Sequence, residues 1–291
     1  MAQNGMSNRY PVFIPSKGRW ESRFTIKAFD RVGFTNYKVV VEPQQYDFYA
    51  SVIDSDKIIV LPHTDKGLVA TRNWIWDYAE SLGVEKFWTF DDNIKAFWRW
   101  NKNSKVELDG YSFLSVIEDF VDRYENVPIA GMNYYMFIKS RYPDTPIRMN
   151  TRVYSNMLID TFAKTPDGIP YRNEGFYNDD TDLCLRMLKD GFCTILFNAF
   201  LIEKSVTMTV GGGMTPHYQD DGRYKMALEL FRKHPDVTKI TRKWGRWQHH
   251  VDYRLFKANK LIRKPGIEIP QGVNNYGMKL VRLDKPNAGI D

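Results

Sequence analysis

The chain has 291 residues, 43% hydrophobic and 15% aromatic, which fills one large α/β domain or two small ones and excludes intrinsic disorder, a collagen-like repeat and a disulfide miniprotein. Its formal charge of +6 is too mild for a histone-like tail and suits a polyanionic partner only where it is concentrated. Between Arg223 and Lys264 stand 13 basic and 3 acidic residues, a local balance of +10 that leaves −4 for the remainder.

In chain order, residues 1–9 read as a polar tail. From Tyr10 a short apolar run, a loop and a stretch with helical spacing recur. The runs predict strands at Pro11 to Ile14, Tyr37 to Val41, Lys57 to Leu61 and Lys86 to Phe90, with helices at Ser22 to Val32, Gln44 to Ile53 and Gly67 to Leu82. Continuous apolar strands alternating with helices predict a Rossmann-type, mostly parallel central sheet covered on both faces. The second half predicts a helix at Tyr111 to Tyr124, a strand at Val127 to Gly131, an extended Arg152 to Ile159, a helix at Asp179 to Lys189 ending at Gly191, and a strand at Phe192 to Phe197. No repeat or long linker appears, so a single body at 10–222 is expected, with a basic extension at 223–291 packed on it.

Cys184 and Cys193 fall in a helix and the next strand, so no disulfide partner or metal framework is expected. No run approaches the roughly 20 apolar residues of a bilayer span, and Met1 to Arg9 lacks the apolar core of a signal peptide. A soluble cytoplasmic protein without a membrane partner is the expectation.

Ligands of such sheets sit at the carboxyl ends of the strands. After the first strand come Pro15, Ser16, Lys17, Gly18 and Arg19; after the second, Glu42; after the third, Asp65, Lys66 and Gly67; after the fourth, Asp91, Asp92 and Asn93. The last triplet offers oxygen ligands to a hard cation, Mn²⁺ or Mg²⁺; an acidic turn is the plain alternative. Lys66, the N–H groups near Gly67 and Arg72 could face a phosphate at the start of a helix, unless Arg72 pairs with a carboxylate. Asp179, Asp180 and Asp182 open a later helix, where Asn178 or Asp179 suffices as N-cap. The surplus acid makes Asp180 the candidate general base.

His217, beyond Gly211 to Gly213, could reach a metal or phosphate on a mobile loop, although an exposed loop histidine is the ordinary reading. Aromatic and basic residues interleave around Arg99 and Trp100, and again at Arg242, Lys243, Trp244, Arg246 and Trp247. Together with Arg223 they form a candidate nucleic-acid surface, the alternatives being core tryptophans and a solvated basic helix.

These residues resemble a glycosyltransferase of the GT-A fold, whose metal motif is an acidic triplet after a central strand, here Asp91-Asp92-Asn93. More narrowly, Ile14 to Arg19, Val41-Glu42-Pro43 with Tyr46 and Tyr49, Asp65-Lys66-Gly67, Arg72-Asn73 and Asp179-Asp180-x-Asp182 resemble the TET-associated glycosyltransferases of tailed phages. The resemblance runs from about Tyr10 to Phe197. It implies transfer of a sugar from a nucleotide-sugar, a UDP-sugar, to a hydroxymethylated pyrimidine, 5-hydroxymethylcytosine, in phage DNA within the host cytoplasm. Ser16 to Arg19, Glu42 and Asp92 would then meet the nucleotide, Lys66 and Arg72 the diphosphate, Asp91 with Asn93 the metal and ribose, and Asp180 the acceptor hydroxyl. Asn93 departs from the family's third acid, keeping an oxygen but losing a charge. A glycan or protein acceptor, a nucleotidyltransferase and a silent DNA-binding domain are the competing readings.

Overall fold

A computed structural model describes residues 8–101, 103–139, 145–163, 165, 168, 170–172, 178–205 and 222–268. The first half builds β1 (Val12–Pro15), α1 (Phe24–Arg31), β2 (Tyr37–Val41), α2 (Tyr46–Ala50), β3 (Ile58–Val60), α3 (Gly67–Ser81), β4 (Lys86–Phe90), the hairpin β5 (Ile94–Asn101) and β6 (Ser104–Glu107), and α4 (Ser112–Val121). The second half adds β7 (Ile129–Tyr134), β8 (Ile147–Met149), β9 (Asn156–Asp160), α5 (Asp179–Lys189), β10 (Thr194–Lys204), α6 (Gly222–Lys233) and the hairpin β11 (Thr238–Lys243) and β12 (Arg246–Val251).

All strands except the last hairpin join one sheet in the order β3-β2-β1-β4-β9-β7-β10-β5-β6, with β8 also paired to β10. β1, β2, β3 and β4 are mutually parallel neighbours, and β7 and β10 are parallel. β9 runs antiparallel to both β4 and β7, so β1 to β4, β7 and β10 all point the same way. Their carboxyl ends therefore share one edge of the sheet, and the start of β9 lies on that edge too.

The continuous apolar runs become strands buried on both faces. Val12, Ile14, Val39, Val41, Trp88 and Phe90 face α1 and α4, whereas Phe13, Val40 and Phe87 face α3 and α5. α5 ends in a Schellman turn: Gly191 adopts φ 86°, Phe192 N–H donates to the Met187 carbonyl at 3.1 Å and Gly191 N–H to Leu188 at 3.2 Å. Its N-cap differs from expectation, because the Asn178 amide donates to the Met226 carbonyl on α6 rather than capping the helix. The outer side of α5, Leu185 and Leu188, packs with Leu230, Val237 and Phe256. The basic segment thus has its own small core on the back of the helix that carries Asp180.

The stretch around Arg99 and Trp100 is β5, whose burial alternates along the strand and leaves Arg99 exposed. One expectation changes. The last strand runs on to Lys204, past a register shift between Phe197 and Leu201.

Candidate active site

Three loops after β1, β2 and β3 are tied together by charge. Glu42, buried, accepts from the Asp65 backbone N–H at 3.0 Å and from the Gln44 amide at 2.6 Å, and pairs with Lys17 at 2.6 Å. Lys17 also meets Asp65, and Gly18 N–H donates to Gln45 Oε1 at 2.7 Å. Beside them Asp92 accepts from Ser16 Oγ at 2.7 Å and pairs with Arg19, while Tyr49 Oη lies 2.5 Å from Ser16 Oγ. Burial raises the Asp92 carboxyl against the pull of Arg19 and Ser16. Pro15 closes β1 beneath this group.

Gly67 opens α3 with φ 84°, directly after Asp65 and Lys66, and Asp65 itself has φ 53°. A Cβ at Gly67 would meet nothing, so this glycine answers to the backbone conformation rather than to space. Lys66 is exposed at the helix start. Arg72, on the inner face of the helix, is only 3% exposed. Its guanidinium meets Asp91 at 3.1 Å, Asp180 at 2.5 Å and Asp179. Arg72 is therefore held by three carboxylates, one just past β4 and two at the start of α5, rather than lying open to a phosphate.

Asp91 also receives the Lys204 ammonium at 2.8 Å, and its backbone N–H donates to the Ser155 carbonyl at 2.7 Å. Although burial acts upward, Lys204 and Arg72 bring its carboxyl down to about 2. Burial pushes the Asp180 carboxyl up to about 7, against the pull of Arg72 and with the push of Asp179 and Asp91. Two acids on one guanidinium are thus driven apart, one held ionised and the other near neutrality, the pattern of an electrostatic anchor beside a proton acceptor. Asp182, the third acid of α5, faces away and binds His234 at 2.9 Å and Arg186 at 3.0 Å.

Lys204 and Ser155 were not among the residues read from sequence. Lys204 ends β10 opposite Ile94, one residue past the triplet, and obeys the strand-end rule once that strand is given its true length. Ser155 sits at φ 67° just before β9, a conformation a serine gives no advance sign of.

Of the candidate nucleic-acid residues, Arg99 is exposed on β5 and Trp100 is half-buried next to it, while Arg223 is half-buried on α6. Arg242, Lys243, Trp244, Arg246 and Trp247 crowd the exposed tip of the last hairpin. There Trp244 and Gly245 adopt φ 50° and 72°, the two positive values of a type I′ turn. Arg242 stacks over Trp247, 5.8 Å from its centroid, and Tyr224 meets the same ring edge-on at 5.3 Å. The hairpin reaches toward the acidic cluster at its base: His249 lies 3.3 Å from Arg152, which stacks on Tyr154, the neighbour of Ser155. Burial, then Arg152, lowers His249 to about 4, so the imidazole is neutral. An open cleft of about 720 Å³ lined by Arg148, Lys257 and Lys260 shares none of the acidic cluster's residues. His217 and Gly211 to Gly213 lie outside the described residues.

The parallel strand ends thus gather paired acids and cations along one edge of a single α/β sheet. The chain belongs to the TET-associated glycosyltransferase family, whose model matches residues 10–213. Among solved structures it is similar to TarS 1–349 of S. aureus, at 12% identity and TM-score 0.43 over 76% of this chain and 65% of that one. It is also similar to a putative nucleotide-diphospho-sugar transferase from Desulfovibrio desulfuricans G20, at 8% identity and TM-score 0.41 over 68% and 83%. The chain thus spans a little under two thirds of the TarS chain's length. No curated protein matches it. Among the described residues no helix is long and apolar enough to cross a membrane, and Cys184 and Cys193 are buried free thiols.

Proposed function

We propose that this protein transfers a sugar from a nucleotide-sugar donor, a UDP-sugar, to the hydroxyl of a hydroxymethylated pyrimidine, 5-hydroxymethylcytosine, in phage DNA, in the host cytoplasm where donor and acceptor are both at hand. The observation that carries the reading is the Arg72 cluster, in which Asp180 stands beside Asp91 at the shared edge of the parallel strands. The loops at Pro15 to Arg19, Glu42 and Asp92 would receive the nucleotide, with Lys66 at the helix start turned to the diphosphate. Asp180 takes the proton of the acceptor hydroxyl as its oxygen attacks the anomeric carbon in a direct displacement. The bond from that carbon to the diphosphate oxygen breaks, and the nucleoside diphosphate leaves with the electron pair.

A divalent cation, Mn²⁺ or Mg²⁺, fits the donor set on two observations. Around Asp91 three carboxylates, Asp91, Asp179 and Asp180, face two cations, Arg72 and Lys204, an excess of one negative charge when Asp180 is ionised. Asn93 Oδ1, moreover, is buried with no hydrogen-bond partner. Asp91 and Asn93 would hold the cation, with His217 a further candidate. Among the described residues no three His, Cys, Asp or Glu side chains form a complete cage, so phosphate oxygens would share the coordination, as is usual for Mg²⁺. When bound, the cation supplies positive charge to the departing diphosphate.

DNA as acceptor is supported by the exposed cations and tryptophans of the last hairpin and by their link through Arg152 to Ser155. A base inside a duplex must be extruded to reach Asp180, and stacking surface beside cations suits that task. The test is incubation with 5-hydroxymethylcytosine DNA and a panel of nucleotide sugars, followed by nucleoside mass spectrometry. A glycosylated hydroxymethylcytosine is expected, absent with unmodified DNA. Transfer from no donor to any modified DNA would reject the acceptor and leave a glycan or protein in its place.

A further inference from the structure

Lys204 is an ammonium where a cation-binding carboxylate would be expected to stand open. It lies 2.8 Å from Asp91 Oδ2, donates to Ser155 Oγ at 2.8 Å, and sits 5.5 Å from the centroid of the Tyr134 ring. Its side chain is 18% exposed, and an ammonium is withdrawn from water to this extent only where partners compensate for its lost hydration. The backbone fixes its place. β10 ends at Lys204 opposite Ile94, and Ser205 N–H donates to the Asn93 carbonyl at 3.0 Å. The lysine is therefore bound to the triplet through main chain as well as side chain.

The consequence for the triplet is occupancy. Asp91 Oδ1 faces Arg72 and Oδ2 faces Lys204, while the two oxygens of Asp92 face Arg19 and Ser16. Every carboxylate oxygen of the triplet already has a donor, and Asn93 Oδ1 alone has none. A dication approaching this site must displace a fixed ammonium from Asp91. An incoming diphosphate offers that ammonium a new anionic partner at the same edge of the sheet.

We propose that Lys204 is a positioning residue of the diphosphate site. It holds Asp91 against a divalent cation while the site is empty and passes to the phosphate oxygens when a nucleoside diphosphate binds, so that cation and nucleotide bind as a coupled pair. This rests on the nucleotide-sugar reading. Linkage requires the coupling to be mutual: the factor by which nucleotide tightens the cation equals the factor by which the cation tightens nucleotide.

The experiment is titration of Mn²⁺ by calorimetry, with and without UDP, in wild type, Lys204→Met and Ser155→Ala. Wild type is expected to bind Mn²⁺ weakly alone and at least about tenfold tighter with UDP present, within the usual range of coupling between sites. Lys204→Met is expected to bind Mn²⁺ about tenfold tighter than wild type without UDP, with the coupling reduced several-fold. A lysine that merely fills space predicts no gain in metal affinity. Ser155→Ala removes one of the partners holding the ammonium and is expected to shift Mn²⁺ affinity the same way by a smaller factor, a readout that remains if Lys204→Met does not fold. Mn²⁺ affinity unchanged or weakened in the folded variants would overturn the role of Lys204. If neither UDP nor GDP nor dTDP binds wild type with or without Mn²⁺, the nucleotide-sugar reading falls and the coupling with it. UDP binding that ignores Mn²⁺ in wild type overturns the coupling alone.

Discussion

Arg72 does two jobs that pull in different directions. It stabilises three carboxylates that could not otherwise be buried together, and it sets the charge felt by Asp180. Removing it leaves Asp179 and Asp180 without a counter-ion while Asp91 keeps Lys204, so Arg72→Met is expected to lower stability by about 3–5 kcal/mol, read as a drop in thermal midpoint. Asp180 makes a sharper claim about activity. Its carboxyl is raised to about 7 by burial, and the proposed base role requires it ionised, so kcat/KM should fall as pH drops below about 7 and level off above it. Asp180→Asn should lower kcat by roughly 10²–10⁴-fold, abolish that acidic limb and leave UDP affinity near wild type. A variant with near-normal turnover would remove Asp180 from the mechanism. Gly131 makes a purely steric case: a Cβ there would lie 2.1 Å from the Asn156 carbonyl oxygen and 2.5 Å from Val153. Gly131→Ala should therefore destabilise by about 1–3 kcal/mol or more, measurable by denaturant titration.

Elements explain what the sequence disclosed and what it hid. β2, β4 and α5 fall where their runs and periodicity put them, because strands buried on both faces and an amphipathic helix leave clear patterns. The strand ends of this parallel half then delivered the loop residues, the triplet and Arg72. The antiparallel half was hidden. β5 shows its aromatic and basic residues as an interleaved motif without disclosing that they lie on a strand, and the apolar run of β10 stops short because Asn198 and Ala199 interrupt it at the register shift. Lys204 was lost with that truncation. Ser155 and Asp91 meet at a positive-φ bend before β9 that no local pattern foretells. The last hairpin was legible only as charge and aromatics. Its exposed tip predicts that replacing Arg242, Lys243 and Arg246 with alanine changes stability by less than about 0.5 kcal/mol. The same variant should weaken DNA binding and lower the salt slope by roughly 0.9 for each phosphate that is no longer neutralised. An unchanged slope in filter binding across salt concentrations would exclude the hairpin from the acceptor surface.

For the whole molecule, the +10 segment and the −4 remainder are not separate bodies. Leu230 of α6 and Phe256 close over Leu185 and Leu188 on the outer side of α5, so the basic segment supports the helix that presents Asp180. Leu230→Ala should cost about 2–5 kcal/mol and lower transfer even though the residue is fully buried behind α5. A chain ending before Gly222 should expose that apolar strip and aggregate on size-exclusion chromatography. Charge asymmetry and mechanical support are thus supplied by the same residues, which is why composition alone divided the chain more cleanly than the fold does.

The Glu42 bridge carries a practical consequence for anyone who would change the donor. Because Lys17, Gln44, Asp65 and the post-β1 backbone all converge on one buried carboxylate and its neighbours, the three loops form a single transplantable cassette. Exchanging the loop after β1 alone would leave Glu42 and Asp65 without Lys17, whereas an exchange of all three loops carries the pairing with it. A three-loop swap should therefore retain more stability than a swap of the first loop alone, read as the thermal midpoint of each chimaera.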